Sequence, residues 1–581
     1  MQLKTDWDLS KLDISNKKLE NTKNAIAKFV TDWNTRTDYL QDPQVLLQAL
    51  LQFDFLLTNY GTSGDTGYYW GLRHTLDQND AEVTANMNKI DELSTKLQND
   101  LQFFTIRLSK ISSDVQNVFL NDPKLSDFKH FLQKLFAESK YILSEPEEKI
   151  LNLKSNSSHH NWVKMTATLL SKETRDKKTL DQLISDFKSD SSKIRDQAAL
   201  SVNDILSKYV EVAEHEINSI LADKKVNDEL RGVTRPDFMR HLSDDIDTGI
   251  VDTLVASVSA RFDQAHRFYR LKAKALGVPY LKYHERIAPV GKITKKYSYP
   301  QAVDLVSQTF SSLDSQFAQI FDEFVNNGHI DVLPKKGKRG GAFCTVERPT
   351  TPTYILLNHS GKLQDVLTLA HEVGHGINNE LMRTQKFALN FGSPLSTAEV
   401  ASTFMEDFVL QRLLSKSSPA EQFALIMQKL DDDISTIYRQ IACYKFETDL
   451  HQSFRTKGYL SKEKIGEIFT KNMAAYMGKF VKQSPGSQNY WVYWSHIRSF
   501  FYVYSYASGL LISKSLQAQV KKDPKFIIKV KEFLSAGSSA SPKQIFLNLG
   551  IDISDPNFWT SGLDEIESLL ATAERLYKEV N

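Results

Sequence analysis

Only two cysteines, Cys344 and Cys443, occur in 581 residues. That is too few for a disulfide framework, and it suits a reducing compartment. Neither sign of charge dominates. Lysine plus arginine number 72 against 71 acidic residues, a formal net charge of +1, so nothing advertises nucleic acid or an anionic membrane as a partner. The local basic run Lys335, Lys336, Lys338 and Arg339 reads as a solvated loop. Long hydrophobic runs are missing too: no window approaches the ~18 apolar residues of a membrane span. The opening "MQLKTDWDLSKLDISNKKLEN" carries charges throughout and has no apolar core of signal-peptide length. The expectation is a cytoplasmic protein, with oligomeric state left open.

What is present is ordinary in bulk and distinctive in pattern. The chain is 41% hydrophobic and 25% charged, a normal globular composition, and its length suggests roughly two to four domains. Glycine and proline are scarce over the first 276 residues, and apolar residues there return at three and four. In 198–222, Val202, Ile205, Leu206, Tyr209, Ala213, Ile217 and Ile220 mark one face of a helix. Similar patterns cover 13–60, 77–139 and 246–276. The texture changes over 277–358, where proline and glycine gather around two β-prone runs, Ala342–Val346 and Tyr354–Leu357. A mostly α protein with one small β element is expected.

Directly after that element comes "LTLAHEVGHGINNEL", residues 367–381. Val366, Leu369, Ala370, Val373, Ile377 and Leu381 form an apolar stripe, so the segment reads as a buried amphipathic helix. His371 and His375 are four apart and share an adjacent face. With Glu372 they make H-E-x-x-H, in which two imidazoles ligate zinc and the glutamate handles a water. Burying two unpartnered imidazoles would be costly, which favours a metal site of one zinc per chain.

Catalytic zinc usually takes three protein ligands and leaves one position to water. A third histidine at the extended-motif spacing is absent, since that position is Leu381. Glu399 is the carboxylate alternative, although Ser396-Thr397-Ala398-Glu399 also reads as a capping box. Glu406, seven residues on, is a second acid on the same face, expected to hold a ligand histidine. Gly340 and Gly341 allow close backbone approach, and Ala342, Phe343 and Cys344 could take an extended peptide as an added strand.

The stretch "KRGGAFC…PTYILLNHSGKLQDVLTLAHEVGHGIN" with "STAEVASTFMEDF" resembles the oligoendopeptidase F branch of the thimet oligopeptidase and neurolysin superfamily of zinc peptidases. So do "WDLSKL", "LKAKALGVPYLKYHERIAP" and "WSHIRSFFYVYSYASGLL". The resemblance implies an elongated, multi-helical zincin with zinc at the floor of a deep channel and short peptides as substrates. It implies an amino-terminal helical domain, 1–195, forming part of the channel wall, and a catalytic domain, 196–581. It also implies that the segment after Trp494 acts on substrate, with His496, Tyr504 and Tyr502 as catalytic donors and Tyr506 in substrate binding. Two departures stand out: Asn378 where many relatives carry histidine, and Tyr283-His284-Glu285-Arg286 where tyrosine-aspartate is commoner. The function expected is endopeptidase cleavage of short peptides with Glu372 as base. The alternatives are a related carboxypeptidase or dipeptidyl carboxypeptidase, or an inactive helical peptide-binding protein.

Overall fold

Serine and aspartate residues stand at many helix starts and accept the otherwise orphaned amides of the first turn. Asp42 accepts from the N–H of Gln44 and Val45, Asp80 from Glu82 and Val83, and Ser461 from Lys464. The computed structural model describes residues 3–293 and 295–580, and helices dominate it from Asn16–Trp33 to Pro556–Val580. The 198–222 pattern belongs to one long helix, Ser192–Leu230, and buries Val202, Ile205, Leu206, Ala213, Ile217 and Ile220 as the periodicity predicts. The other predicted stretches break into shorter helices at turns, as 246–276 does into Thr248–Ala260 and Phe262–Ala275.

Burial divides the hydrophobic residues among separate clusters. A smaller core joins Ile26, Phe29, Trp33, Phe53, Phe104 and Phe136, and borrows Phe387 from far along the chain. The main core already includes Leu170, Leu183 and Phe187 and runs to Leu576. Along the chain, the change from one core to the other falls between Phe136 and Leu170. A third, minor cluster ties Leu12, Tyr68 and Leu72 to Tyr354.

Three short strands sit before the histidine helix. Tyr354–Leu356 is central, parallel to Ile330–Asp331 (Ile330 opposite Ile355) and antiparallel to Phe343–Thr345 (Cys344 opposite Ile355). Phe343–Thr345 is thus an edge strand with one unpaired side. The amino-terminal part of the chain grips this sheet. Trp7 Nε1 donates to the Ile355 carbonyl at 2.8 Å, and the Tyr68 hydroxyl to the Thr345 carbonyl at 2.9 Å. The basic run is not wholly the solvated loop expected. Lys338 is buried, donating to Asp331 Oδ1 and the Leu357 carbonyl, while Lys335 pairs with Asp6 and Asp331.

Candidate metal centre

The histidine helix, Leu363–Met382, turns its whole predicted stripe inward: Val366, Leu369, Ala370, Val373, Ile377 and Leu381 are buried. Burying the valine, leucine and isoleucine side chains among them stabilises by roughly 1.5–3 kcal/mol each, which fixes the helix phase and leaves His371 and His375 on the half-buried margin. Their rings stand 5.1 Å apart at 81°. The glutamate helix, Val400–Leu414, crosses at Gly374. A Cβ there would stand 2.7 Å from the Ser402 Cα and 2.8 Å from the Ala401 carbonyl oxygen, so only glycine permits this approach. Gly509 performs the same service on the tyrosine helix, Tyr504–Lys522, where an added Cβ would meet the Glu399 Cβ at 3.1 Å.

These contacts deliver Glu399 to the histidines. Its Oε2 lies 3.4 Å from Nε2 of both His371 and His375, and the Ser402 hydroxyl donates to the same oxygen at 2.9 Å. Ligand-type atoms of His371, His375 and Glu399 all fall within 4.8 Å of one another. Two imidazoles and a carboxylate converging this way match the donor set of a catalytic zinc site. The capping-box alternative for Glu399 is not formed. Glu399 is itself the residue at the helix start, no side chain caps that helix, and the Ser396 hydroxyl is buried without a partner. The residues before it wind into a short 3-10 turn, Leu395–Thr397, which frees the carboxylate to face inward.

Glu406 Oε2 accepts from His371 Nδ1 at 3.1 Å, orienting the ring from behind. Burial opposes the charge on Glu406, but Lys429 and His371 hold its carboxyl below the usual range. Burial likewise opposes a charge on His371. The hydrogen bonds to Glu399 and Glu406 outweigh it and push the metal-free imidazole up to about 10.

Beneath Glu406 lies a buried network that the sequence does not announce. Lys429 pairs with Asp407 at 2.8 Å and Asp433 at 3.4 Å, and Lys514 with Asp433 at 2.9 Å. Its only signal was the second acid in Met405-Glu406-Asp407, beside the glutamate assigned to the histidine.

Glu372 is 7% exposed and lies close enough to the edge strand for its carboxylate to meet the Cys344 N–H. Burial raises its carboxyl, while His371, His375 and the Cys344 backbone N–H pull it back. The edge strand Phe343–Thr345 therefore runs past Glu372, with Gly340, Gly341 and Ala342 leading into it.

The segment after Trp494 divides. His496 Nε2 and the Tyr506 hydroxyl are hydrogen-bonded at 3.1 Å, and the Tyr502 ring stacks on His496 with centroids 6.1 Å apart. Burial pushes the Tyr506 hydroxyl up, and Tyr502 and the Glu399 charge add to this; Gly509, three residues along the same helix, is the point of contact with Glu399. Tyr504 is not brought there, contrary to expectation. It is fully buried, packs on His241 and Tyr444, and donates to Asp244 Oδ2 at 2.8 Å. The departures from the resembled pattern have structural roles. Asn378 bridges the Leu534 carbonyl (2.7 Å) and the Ser393 hydroxyl (3.2 Å). His284 binds Asp196 at 2.9 Å in a second cluster of acidic and histidine ligands, already neutralised by Lys282 and Arg195.

Gly374→Ala tests the helix crossing. Helix propensity favours alanine by about 1 kcal/mol, whereas backbone overpacking costs about 1–3 kcal/mol, so collision should win. The expected result is a small loss of thermal stability and a larger fall in bound metal, read by calorimetry and metal analysis. Unchanged metal content would mean the helices yield without moving Glu399.

A family model described as peptidase family M3 matches residues 187–565, and one described as oligopeptidase F matches residues 108–172. An oligoendopeptidase F homolog of Lactococcus lactis is 24% identical over 528 residues, covering 88% of this chain and 87% of the relative. The oligopeptidase PepF of Bacillus subtilis is 24% identical over 528 residues, covering 86% and 78%. The fold matches the crystal structure of a Chlamydophila abortus protein with a TM-score of 0.87 at 21% identity, covering 98% of both chains. It matches oligoendopeptidase-F from Enterococcus faecium with a TM-score of 0.71 at 17% identity, covering 97% and 98%.

Proposed function

Because the chain belongs to peptidase family M3 and is a metallopeptidase, we propose that it is a zinc-dependent oligoendopeptidase of short, unstructured peptides. The observation that carries this reading is the convergence of His371, His375 and Glu399 within 4.8 Å, with Glu372 beside them and facing an unpaired strand edge. His371, His375 and Glu399 would hold one zinc. When bound, it would polarise the scissile carbonyl and lower the pKa of an attacking water toward ~7.

The remaining work falls to the chain's own groups. Glu372 accepts the water proton and later returns it to the leaving amine. Tyr506, with His496 and Tyr502 behind it, supplies donors for the oxyanion of the tetrahedral intermediate. Tyr504 is omitted because Asp244 already engages its hydroxyl. The edge strand pairs with substrate backbone through Ala342, Phe343 and Cys344, so binding reads the main chain more than side chains. Gly340 and Gly341 admit the peptide at the strand's start, within a channel walled in part by the amino-terminal helices.

The test is a graded set of unstructured peptides and one folded protein, incubated with zinc-loaded enzyme and read by mass spectrometry. Cleavage at internal bonds of the peptides, abolished by chelation and restored by zinc, is the expected outcome. A folded domain of ~100 residues has a radius of gyration near 13 Å and should resist cleavage. Digestion of the folded protein would overturn the enclosed channel, and release of terminal residues alone would establish an exopeptidase.

A further inference from the structure

Phe500 and Phe501 have φ of 44° and 55°, two successive bulky residues in the left-handed region. A Cβ makes that conformation sterically uphill, and no glycine relieves it anywhere between His496 and Tyr506. Such backbone persists only where its surroundings over-determine it, and here an arginine and a buried glutamate do so. Arg240, on helix Phe238–Ser243, donates to the Ser499 carbonyl at 2.8 Å and the Phe500 carbonyl at 3.2 Å. Its guanidinium also lies 5.9 Å from the Tyr502 ring centroid. Glu447, on helix Gln440–Lys457, is fully buried and accepts the Phe501 N–H at 2.6 Å. Phe501 itself is sealed against His451 and Tyr444.

The turn has a geometric product. It reverses the chain between the short His496 turn and the tyrosine helix, so that His496 meets Tyr502 and Tyr506 from the opposite limb. An extended link at the same two residues would carry the limbs apart. We infer that Arg240 and Glu447 are positioning residues for the peptidase reaction, holding the Phe500–Phe501 turn that sets His496, Tyr502 and Tyr506 together beside Glu399. The inference rests on the oxyanion role proposed for that trio.

The experiment compares Glu447→Leu, Arg240→Met and Glu447→Gln in full-length, zinc-loaded enzyme on an internally quenched peptide. A misplacement near 1 Å costs up to about 10²-fold in rate. Both disruptive variants should therefore lose 10- to 100-fold in kcat, with KM within about threefold and zinc content unchanged. Glu447→Gln retains an oxygen acceptor for the Phe501 N–H and should recover most of the rate. Hydrogen exchange across residues 497–503 should quicken in the disruptive variants and stay slow in the glutamine variant. Arg240→Met keeps the test decisive should Glu447→Leu fail to fold, because Arg240 is only half-buried. Faster exchange with unchanged kcat would overturn the positioning role and leave the clamp as scaffold. Unchanged exchange would overturn the clamp itself. A normal kcat in Tyr506→Phe would instead count against the oxyanion reading, and exchange would still decide the clamp.

Discussion

Glu372→Gln should lower kcat by about 10²–10⁴-fold, the range that general-base catalysis contributes, while the protein keeps its full zinc and binds peptide. The change removes a proton acceptor and little else. Glutamine has nearly the same shape, and its carbonyl oxygen can still accept the Cys344 N–H that now faces the carboxylate. Glu372 is not among the three converging ligand atoms, so metal affinity should move little. Because the side chain is 7% exposed and its charge is opposed by burial, removing that charge should not destabilise the fold. Steady-state kinetics, metal analysis and a fluorescence-anisotropy binding curve on one preparation check all three points. Turnover within tenfold of wild type would mean another group activates the water.

Glu399→Ala should abolish activity by a different route, through loss of the metal. Two histidines alone leave the site a ligand short. Removing a mere outer partner of a ligand costs about 10–100-fold in metal affinity, and losing the ligand itself should exceed that. Stability of the metal-free protein separates this outcome from a capping role. Loss of a functioning cap costs about 1 kcal/mol, but no side chain caps the glutamate helix. Any fall in the metal-free melting temperature of Glu399→Ala should therefore come from its lost contacts with His371 and His375, and should fade as pH rises toward the raised His371 value of about 10. Zinc titration by calorimetry, together with melting with and without zinc, gives both readings. A zinc-replete, active variant would rule Glu399 out as a ligand.

The histidine helix was legible because one physical requirement, burial of a stripe at helical spacing, also determines where the histidines face. Two of the sheet's three strands were legible within a residue or so, from β-branched and aromatic runs between turn formers, whereas Ile330–Asp331 gave no such run. Glu399 was only half legible. A serine-threonine-alanine-glutamate run looks the same locally whether the acid caps its own helix or reaches a neighbour, and only the approach at Gly374 and Gly509 distinguishes them. Tyr504 was placed wrongly for a related reason. The phase of the tyrosine helix depends on the Phe500–Phe501 turn, and phenylalanine gives no sign of left-handed backbone. Nothing in the sequence singles out Lys429 and Lys514, because only tertiary packing surrounds them with Asp407, Asp433 and Glu406.

The gripping of the sheet by the amino-terminal segment has a mechanical corollary. Tyr68 holds the edge strand at Thr345 and Trp7 holds its neighbour at Ile355, whereas the helices bearing His371, His375 and Glu399 are anchored in the main core. A shift of the amino-terminal segment that carries Trp7 and Tyr68 would pull on the edge strand before it reached His371, His375 and Glu399. Access and substrate alignment would then be geared to one motion, with His371, His375 and Glu399 as its fixed frame.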